Sequence, residues 1–308
     1  MDSQLIEYFL RVADLGSINR AASDLRLSQP ALSRHIALLE HQIGVKLFTR
    51  TKGGVVPTEA GRLLYERARP VLRQLEILVE QVGSRAAGQL SVGFPPSWRH
   101  LFTAQYVQAL VAHYPGVSLR VHEDVSHALR EVMHSGMLDL AIIPFEGGSP
   151  AGYRHTALLR EPLVLVSNKR ARLRPEKPVP LSHLDNLKLA LPGKPNVIRT
   201  QIEHALARQG YAFKSIVEID AMHLSIDLAR EGSAHTVTPC CAVSAMSDQD
   251  VSWAPVRGMY ITWALCENTA RSHSAAVLEG RRLVLEQLSS IVAQGAWFGA
   301  QWLGDSLV

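Results

Sequence analysis

The feature that most constrains the fold is the segment LSQPALSRHIALLE, residues 27–40. Ser28 is a good helix N-cap, and Pro30 is tolerated in a first turn, where backbone N–H groups have no partner within the helix. The pattern therefore predicts a helix that starts after Ser28 and buries an apolar face formed by Leu32, Ile36 and Leu39. The opposite face carries only short or hydrogen-bonding side chains, namely Pro30, Ser33, Arg34 and Ala37, with Gln29 at its flank.

A shorter helix is predicted just before this one. Gly16 and Ser17 provide a stop and a new N-cap, after which small and apolar residues follow at helical spacing. Two short helices joined by a tight turn are what a helix-turn-helix uses to place its second helix in the major groove of DNA. There Arg pairs with guanine, Gln pairs with adenine, and Ser reaches bases or phosphate. The simpler alternative is an amphipathic helix whose polar face meets only water.

The residues after the helix favour the DNA-binding interpretation. The sequence IGVKLFTRTKGGVVPTEAG, residues 43–61, reads as a Gly-terminated helix, a short strand, a Gly-Gly turn and a second strand that ends at a new cap. This is the pattern of a wing. Arg50 and Lys52 lie at its strand-to-turn junction, where long cations can reach phosphates or a narrow minor groove.

The distribution of charge agrees with a polyanion partner. The net charge of +4 says little by itself, but basic residues outnumber acidic ones between positions 20 and 52. The basic residues there are Arg20, Arg26, Arg34, Lys46, Arg50 and Lys52, and the acidic ones are Asp24 and Glu40. Such a basic surface is typical of DNA binding, although ordinary solvated surfaces show similar excesses.

The segment GSINRAASDLRLSQPALSRHIALLEHQIGVKLFTRTKGGVVPTEAG, residues 16–61, resembles the winged helix-turn-helix of the LysR-type transcriptional regulators. The match extends from about Leu5 to Arg69. By position in that motif, Gln29, Pro30, Ser33 and Arg34 would lie at the major groove, and Arg50 and Lys52 would serve the wing. The resemblance implies a homo-oligomer, dimer or tetramer, that binds double-stranded promoter DNA and responds to a small organic effector. It also implies RNA polymerase as a partner.

A long helix is predicted after Thr58, which caps it with Glu59 in the first turn. Its apolar residues repeat in steps of four and three, giving a heptad seam of Leu64, Ala68, Val71, Leu75, Leu78 and Val82. The seam favours a helix from a second subunit as its partner, as in the resembling family, and packing on the same chain is the alternative. Pro70 predicts a kink near Arg69 but no break, because the seam continues in register.

After Gly88, strand and helix signals alternate, which predicts an α/β architecture of sheets covered by helices. Their order resembles the periplasmic-binding-protein-like effector domain of the same family, with two interleaved subdomains. We therefore expect a winged helix-turn-helix at 1–58, a linker and dimerisation helix at 59–87 and an effector-binding domain at 88–308. Subdomain I would take 88–161 and 267–308, and subdomain II would take 162–266.

In such sheets, ligands lie beyond the carboxyl ends of strands, near helix N-termini with free N–H groups. The connections FPPSWR, IPFE and PGKPNVIRT occupy such positions. The residues expected to line a cleft there are Ser97, Trp98, Phe145, Asn196, Val197 and Thr200. With Lys194 and Arg199 nearby, we expect an organic anion, and the two aromatic residues favour an aromatic carboxylate or sulfonate. Ordinary loop or core packing is the alternative for each residue.

Other chemistries have no support in the sequence. His122, His127 and His134 lack Cys or helical HxxxH partners at ligand spacing, so we expect no metal site and no cofactor. Cys240 and Cys241 are adjacent and would bridge only with strain, which favours structural cysteines over a thiol switch. No nucleophile elbow, phosphate-binding loop or paired-carboxylate motif is present, so we expect no enzyme.

The odd count of three cysteines indicates a reducing compartment, with the cytoplasm as the default, and no apolar run approaches the roughly 20 residues that span a bilayer. We expect no membrane partner. The competing interpretation is a small-molecule binding protein or enzyme with an accessory DNA-binding-like domain. The sequence leaves open the effector, the operator, the sign of regulation and the choice between dimer and tetramer.

Overall fold

The computed structural model describes residues 2–51, 53–82, 88–149, 152–211, 214–244 and 251–304. The chain divides into an N-terminal unit, residues 1–84 together with 135–137, and a C-terminal unit formed by residues 85–134 and 138–308. The predicted fold class, a mainly helical N-terminal module followed by an α/β region, is confirmed. The predicted domain limits at 58, 87 and within the effector domain stay predictions.

Three capped helices build the start of the N-terminal unit. They are α1 (Ser3–Leu15), α2 (Ile18–Asp24) and α3 (Gln29–Ile43). The side chain of Ser17 accepts the N–H of Arg20, and that of Ser28 accepts the N–H of Ala31, as the sequence predicts. The predicted apolar stripe of α3 is also confirmed, since Leu32, Ile36 and Leu39 are buried in one core with α1 and α2.

A two-stranded antiparallel wing follows, formed by β1 (Phe48–Thr51) and β2 (Gly54–Pro57). Its turn requires glycine at position 54, where φ is +136° and an added Cβ would lie 2.3 Å from the carbonyl oxygen of Gly16. The N–H of Val55 donates to that same oxygen at 3.0 Å, so the second wing strand is fastened to the end of α1. Lys52, expected to serve the wing, lies outside the described residues.

A buried carboxylate fastens the first wing strand to α3. Glu40, on the inner face of α3, accepts the N–H of Leu47 at 2.8 Å and that of Phe48 at 3.3 Å. Its second oxygen pairs with the Lys46 ammonium at 2.6 Å. Burial raises the pKa of Glu40, but Lys46 and the two N–H groups lower it by more, so the pKa lies below its usual range. The helix and the wing therefore share one ionised group.

The long helix predicted after Thr58 is present as α4 (Glu59–Val82), and Pro70 lies inside it without a break. Thr58 caps it by accepting the N–H of Gly61 at 3.0 Å. The predicted seam divides, however. Ala68 packs into the core of the N-terminal unit together with Leu72, which the heptad pattern did not include.

Two other seam residues, Val71 and Leu75, are exposed on the described chain. The side chains of Leu78 and Val82 lie outside the described part. Packing on the same chain therefore holds for part of the seam, and a partner helix on the exposed part stays a prediction.

The C-terminal unit alternates strands and helices. Its strands are β3 (Gln89–Phe94), β4 (Ser118–Glu123), β5 (Leu140–Pro144), β6 (Tyr153–Ser167), β7 (Lys188–Leu191), β8 (Lys214–Glu218), β9 (Thr236–Pro239), β10 (Ser252–Asn268) and β11 (Gln301–Trp302). Its helices are α5 (Ala104–His113), α6 (Ser126–His134), α7 (Val197–Arg208), α8 (Met222–Glu231) and α9 (Ala275–Ala293).

Two long strands connect the two halves of this unit. β6 and β10 are antiparallel partners, and they lie in one seven-stranded sheet of order β11-β6-β10-β5-β3-β4, with β9 also paired to β6. β7 and β8 form a separate parallel pair. We name the part built on β3, β4 and β5 lobe A, and the part built on β7, β8 and β9 lobe B. The segments EPLVLVSNKR, residues 161–170, and MYITWALCE, residues 259–267, predict shorter strands, whereas β6 and β10 each run continuously through both lobes.

Replacing Glu40 with Gln should destabilise the wing by about 1–2 kcal/mol at pH 7, because a charged acceptor of three hydrogen bonds is lost. In the wild type, the stabilisation of the wing by ionised Glu40 is fully present above the ordinary carboxyl pKa. It is lost as the pH falls through the lowered pKa of Glu40 in the folded protein, so it should fade below about pH 5. The measurement is the hydrogen-exchange protection of peptides spanning residues 36–57, compared between the wild type and Glu40→Gln at pH 7 and pH 4.

The exposed Glu7 of α1 provides the control, because Glu7→Gln removes a carboxylate of the same unit without touching the wing. Equal protection of the wing in both variants at pH 7 would show that Glu40 does not hold it.

Candidate functional site

The first candidate surface is the exposed polar face of α3. Gln29, Pro30 and Arg34 are exposed and Ser33 is half-buried, so all four predicted major-groove residues lie outside the core. The Gln29 amide donates to Ser33 Oγ at 2.9 Å, and the Arg34 Nε–H reaches the Pro30 carbonyl at 3.4 Å. These weak local contacts order the side chains while leaving guanidinium and amide groups available to base edges.

The wing and its surroundings supply the positive charge. Lys46, counted in the basic excess of the sequence, is paired with Glu40. In the described residues, no carboxylate forms an ion pair with the remaining arginines of this region, which are Arg20, Arg26, Arg34 and Arg50. Arg50 is exposed on β1. Free guanidinium groups beside a polar helix face are suited to phosphate contacts.

The second candidate site is a cavity in the C-terminal unit that encloses about 640 Å³, part of it open to solvent. Its wall is built where helices begin: Ser97 in a helical turn after β3, Ser126 at the start of α6, Val197 at the start of α7 and Met222 at the start of α8. The positive ends of these helices therefore converge on one space. Further hydroxyl groups come from Ser225, Thr236 and Thr238, and apolar area comes from Val237, Ile261 and Trp263.

Three of the six predicted effector residues line this cavity, namely Ser97, Asn196 and Val197. Asn196 is the N-cap of α7, and its side chain accepts the N–H groups of Ile198 and Arg199 at 3.0 and 3.2 Å. This capping fixes the start of the helix at the cavity wall.

The other three predicted residues do not line the cavity, which corrects the sequence-based expectation. Trp98 is fully buried between Trp263 and Trp297, with ring centroids 5.5 and 4.9 Å away. Phe145 is exposed, and its ring lies 4.8 Å from His155. Thr200 is exposed one turn along α7, where its hydroxyl donates to the Asn196 carbonyl at 2.9 Å.

The basic residues expected near an anion are also engaged elsewhere. Arg199 pairs with Glu203 at 2.9 Å and with Glu218 at 2.6 Å, and Lys194 pairs with Glu203 at 2.8 Å. Of the described residues that line the cavity, none is Lys, Arg or His, and Asp220 is the one with a charged side chain. An anion there would be held by helix N-termini and hydroxyl groups rather than by a basic side chain.

Several wall residues were missed by the sequence analysis. Thr236 and Thr238 lie within β9, and the strand end after them, at Pro239, is the sequence signal that points to this part of the wall. Ser225 and Trp263 carry no comparable signal, since one lies within a helix and the other within a strand. Their positions depend on which faces the fold turns inward.

Behind the cavity wall lies a buried carboxyl group, Glu161 of β6. It accepts the indole N–H of Trp263 at 2.6 Å, that of Trp297 at 2.9 Å, and the backbone N–H of Cys241 at 2.8 Å. The Cys241 thiol is hydrogen-bonded to both Glu161 and Ser97. Burial raises the pKa of Glu161 above its usual range, and the donated hydrogen bonds act against that rise.

All three cysteines are free and buried. Burial raises the pKa of all three free thiols above the usual value, that of Cys266 to about 12, so they are protonated at neutral pH. Within the described ranges, no group of three His, Cys, Asp or Glu side chains could hold a metal ion. No helix within those ranges is long and apolar enough to cross a membrane.

A winged helix-turn-helix with a basic face, followed by a two-lobed unit with a helix-lined cavity, is the architecture of a DNA-binding regulator with an effector-binding domain. Comparison with known proteins agrees. Residues 3–62 match the family model for the bacterial regulatory helix-turn-helix protein, lysR family, and residues 83–289 match the LysR substrate binding domain. The chain belongs to the LysR family of transcriptional regulators.

Its relatives are regulators rather than enzymes. The nitrogen assimilation regulatory protein nac of Escherichia coli is 33% identical over 257 residues, which cover 82% of this chain and 83% of the relative. The HTH-type transcriptional regulator BbuR of Bordetella bronchiseptica is 29% identical over 97% of this chain and 94% of its own.

Solved structures show the same fold. The LysR family regulator CbnR matches with a TM-score of 0.70 at 19% identity, covering 94% of this chain and 99% of that one.

The three thiols should be inert in the folded protein. At pH 8, a thiol-reactive disulfide reagent should label none of Cys240, Cys241 and Cys266 within minutes, because each is buried and protonated, whereas all three should react in denaturant. Peptide mass spectrometry identifies the labelled residue. Ser290→Cys, at an exposed position of α9, provides a thiol that reacts in the native state. Fast native labelling of Cys240 or Cys241 would instead support a thiol switch.

Proposed function

We propose that the protein binds promoter DNA as a homo-oligomer, dimer or tetramer, and that a small organic anion in the cavity of the C-terminal unit modulates this binding. Family membership already makes the chain a DNA-binding transcriptional regulator with an effector-binding domain. The observation that carries the finer proposal is the pairing of two separate sites in one chain: a free polar helix face with unpaired arginines, and a cavity onto which four helical N-termini converge.

In this proposal, base edges are read by Gln29, Ser33 and Arg34, and Pro30 shapes the start of the helix that enters the groove. Arg50 contacts phosphate from the wing, and Lys52 is its proposed companion. Support for the division of roles is geometric, because the three reading residues occupy successive turns of one exposed helix face, whereas Arg50 lies on a strand beside it.

Arg34→Ala should weaken binding to the preferred sequence by about 1–3 kcal/mol and relax sequence preference, because a bidentate base contact is lost. Arg50→Ala should weaken binding to all sequences and reduce the slope of log affinity against log salt by about 1. Footprinting over a salt series, on genomic fragments selected by the wild-type protein, separates the two effects. Arg208→Ala, an exposed change of equal charge on α7, is the control. An unchanged footprint and affinity for Arg34→Ala would remove this residue from base reading.

The proposed effector is a small organic acid, of the aromatic carboxylate or sulfonate kind, with its acidic group held by helix N-termini and hydroxyl groups. Ser97, Asn196 and Val197 supply part of the wall, and the indole of Trp263 supplies the aromatic surface. Asp220 disfavours a second anionic group close to it, because like charges repel. We therefore expect monoanions to bind better than dianions.

A thermal-shift screen of aromatic carboxylates, sulfonates and aliphatic carboxylates tests this assignment. For an acid that stabilises the wild-type protein, Ser97→Ala should weaken binding roughly tenfold through loss of one buried hydrogen bond. Thr200→Ala, which removes a hydroxyl from the same region but off the cavity wall, should leave the shift unchanged. Equal shifts in both variants would place the acid elsewhere, and a panel without any hit would contradict the organic-anion proposal.

The proposed oligomer contact uses the free face of α4. Leu63 and Val71 are more than half exposed, and Leu75 is 43% exposed, which is a large apolar area for a helix that meets only water. A second copy of the same helix would cover it. RNA polymerase is the further proposed partner, which follows from promoter binding rather than from any feature of the described surface.

A further inference from the structure

We propose that Glu161 is a positioning residue that couples the cavity to the C-terminal segment, residues 294–304. The physiological meaning of this coupling rests on the proposed function of the cavity as the effector site. The coupling itself is a property of the hydrogen bonds around Glu161 and of one aromatic cluster inside the C-terminal unit.

Glu161 lies where the two lobes join. It pairs with Ile261 across the β6–β10 ladder, and the register of that ladder breaks between Pro255 and Tyr260, just beyond this point. On its other side, β6 pairs with β11 at Leu159 and Arg160 and with β9 from Leu163 onward. The carboxyl group therefore lies at the junction of the two lobes. A change in the arrangement of the lobes would alter its surroundings.

One carboxyl oxygen faces the cavity wall. Trp263 lines the cavity, is 3% exposed, and donates its indole N–H to Oε1 of Glu161. A second path starts at Ser97, also on the wall, whose hydroxyl is bonded to the Cys241 thiol, which in turn is bonded to Glu161. Two wall residues thus contact the same buried group by separate routes.

The other carboxyl oxygen holds the C-terminal segment. Oε2 accepts the indole N–H of Trp297 together with the backbone N–H of Cys241. The segment continues to Phe298, whose ring lies 5.2 Å from that of Trp253 at the lobe B end of β10. Since the preceding α9 packs against β3 and β5 of lobe A, the segment crosses from one lobe to the other.

The network has to rearrange as a unit. The two oxygens of a carboxylate share one plane, so a displacement of Trp263 that turns the group moves both acceptors. A buried N–H left without a partner costs roughly 1–3 kcal/mol, which makes a partial rearrangement unfavourable. Trp98 packs edge-on against both indoles and leaves little free volume for independent motion. A group in the cavity that displaces Trp263 should therefore also displace Trp297, which does not line the cavity.

The experiment uses full-length protein labelled with ¹⁵N at its five indole groups, each resonance assigned by its own Trp→Phe variant. The cavity is filled by a side chain rather than by an unidentified ligand, with Ser126→Phe from α6 and Ser225→Phe from α8 as two independent fillers. Each filler is introduced into the wild type, into Glu161→Gln and into Glu267→Gln. Glu267 is a buried carboxyl of β10 that pairs with Arg281 instead, which makes it the matched control.

With a filler in the wild-type and Glu267→Gln backgrounds, we expect the resonances of Trp263 and Trp297 to shift together by more than their line widths. In Glu161→Gln, Trp263 should still shift and Trp297 should not, because an amide cannot accept from both indoles with the same geometry. Should Glu161→Gln fail to fold, Trp263→Phe combined with Ser97→Ala removes both routes, and Trp297 should then be insensitive to the filler.

Three results would overturn the proposal. They are a shift of Trp263 without one of Trp297 in the wild type, a Trp297 shift of equal size in Glu161→Gln, and a Trp263 resonance that neither filler moves. The measurement needs neither DNA nor effector. A failure here would therefore leave DNA reading and effector binding, which are tested by footprinting and thermal shift, undisturbed.

Discussion

The antiparallel pairing of β6 with β10 is the constraint on which the C-terminal unit depends. Both strands run through the two lobes, and their ladder extends from Ser252 to Asn268 with breaks at two points. Two of the strands that end at the cavity are paired directly with this ladder. β5 pairs with β10 and ends at Pro144, β9 pairs with β6 and ends at Pro239, and both prolines line the cavity. A shift in the ladder would move the walls of both lobes at once.

In the N-terminal unit, too, a small number of contacts fixes the arrangement of the elements. A single carboxylate, Glu40, joins the recognition helix to the first wing strand, and a single backbone carbonyl, that of Gly16, joins α1 to the second. The positions of Arg34 on the helix and Arg50 on the wing are thereby fixed relative to each other within the unit. A surface that reads DNA needs this kind of rigidity, because base contacts and phosphate contacts must be made in one register.

The sequence predicted those features that are determined locally. Caps at Ser17, Ser28 and Thr58, the buried stripe of α3 and the wing all depend on residues close together in the chain, and the structure confirms them. The start of α7 at the cavity is predictable for the same reason, since the strand before it is followed by the cap Asn196. The family resemblance rested on this local part and is confirmed as well.

Features that depend on distant residues could not be predicted. Arg199, expected near the anion, is neutralised by Glu203 on the same helix and by Glu218 of β8, and the second of these comes from a distant part of the sequence. Trp98 follows a strand end as a cleft residue should, yet it turns inward because Trp263 and Trp297 provide an aromatic core. The seam of α4 was only partly correct, because periodicity cannot tell the face that meets its own chain, at Ala68, from the free face at Val71.

Reciprocal linkage is the most direct test of this chain as a regulator that joins an effector cavity to DNA reading. For an acid that binds the cavity, the affinity for DNA would be measured with and without saturating acid, and the affinity for the acid with and without DNA. The two ratios should agree and correspond to a coupling of about 1–3 kcal/mol, since both ligands act on one equilibrium. Ratios of one in both directions would show that the cavity and the DNA-binding surface are independent.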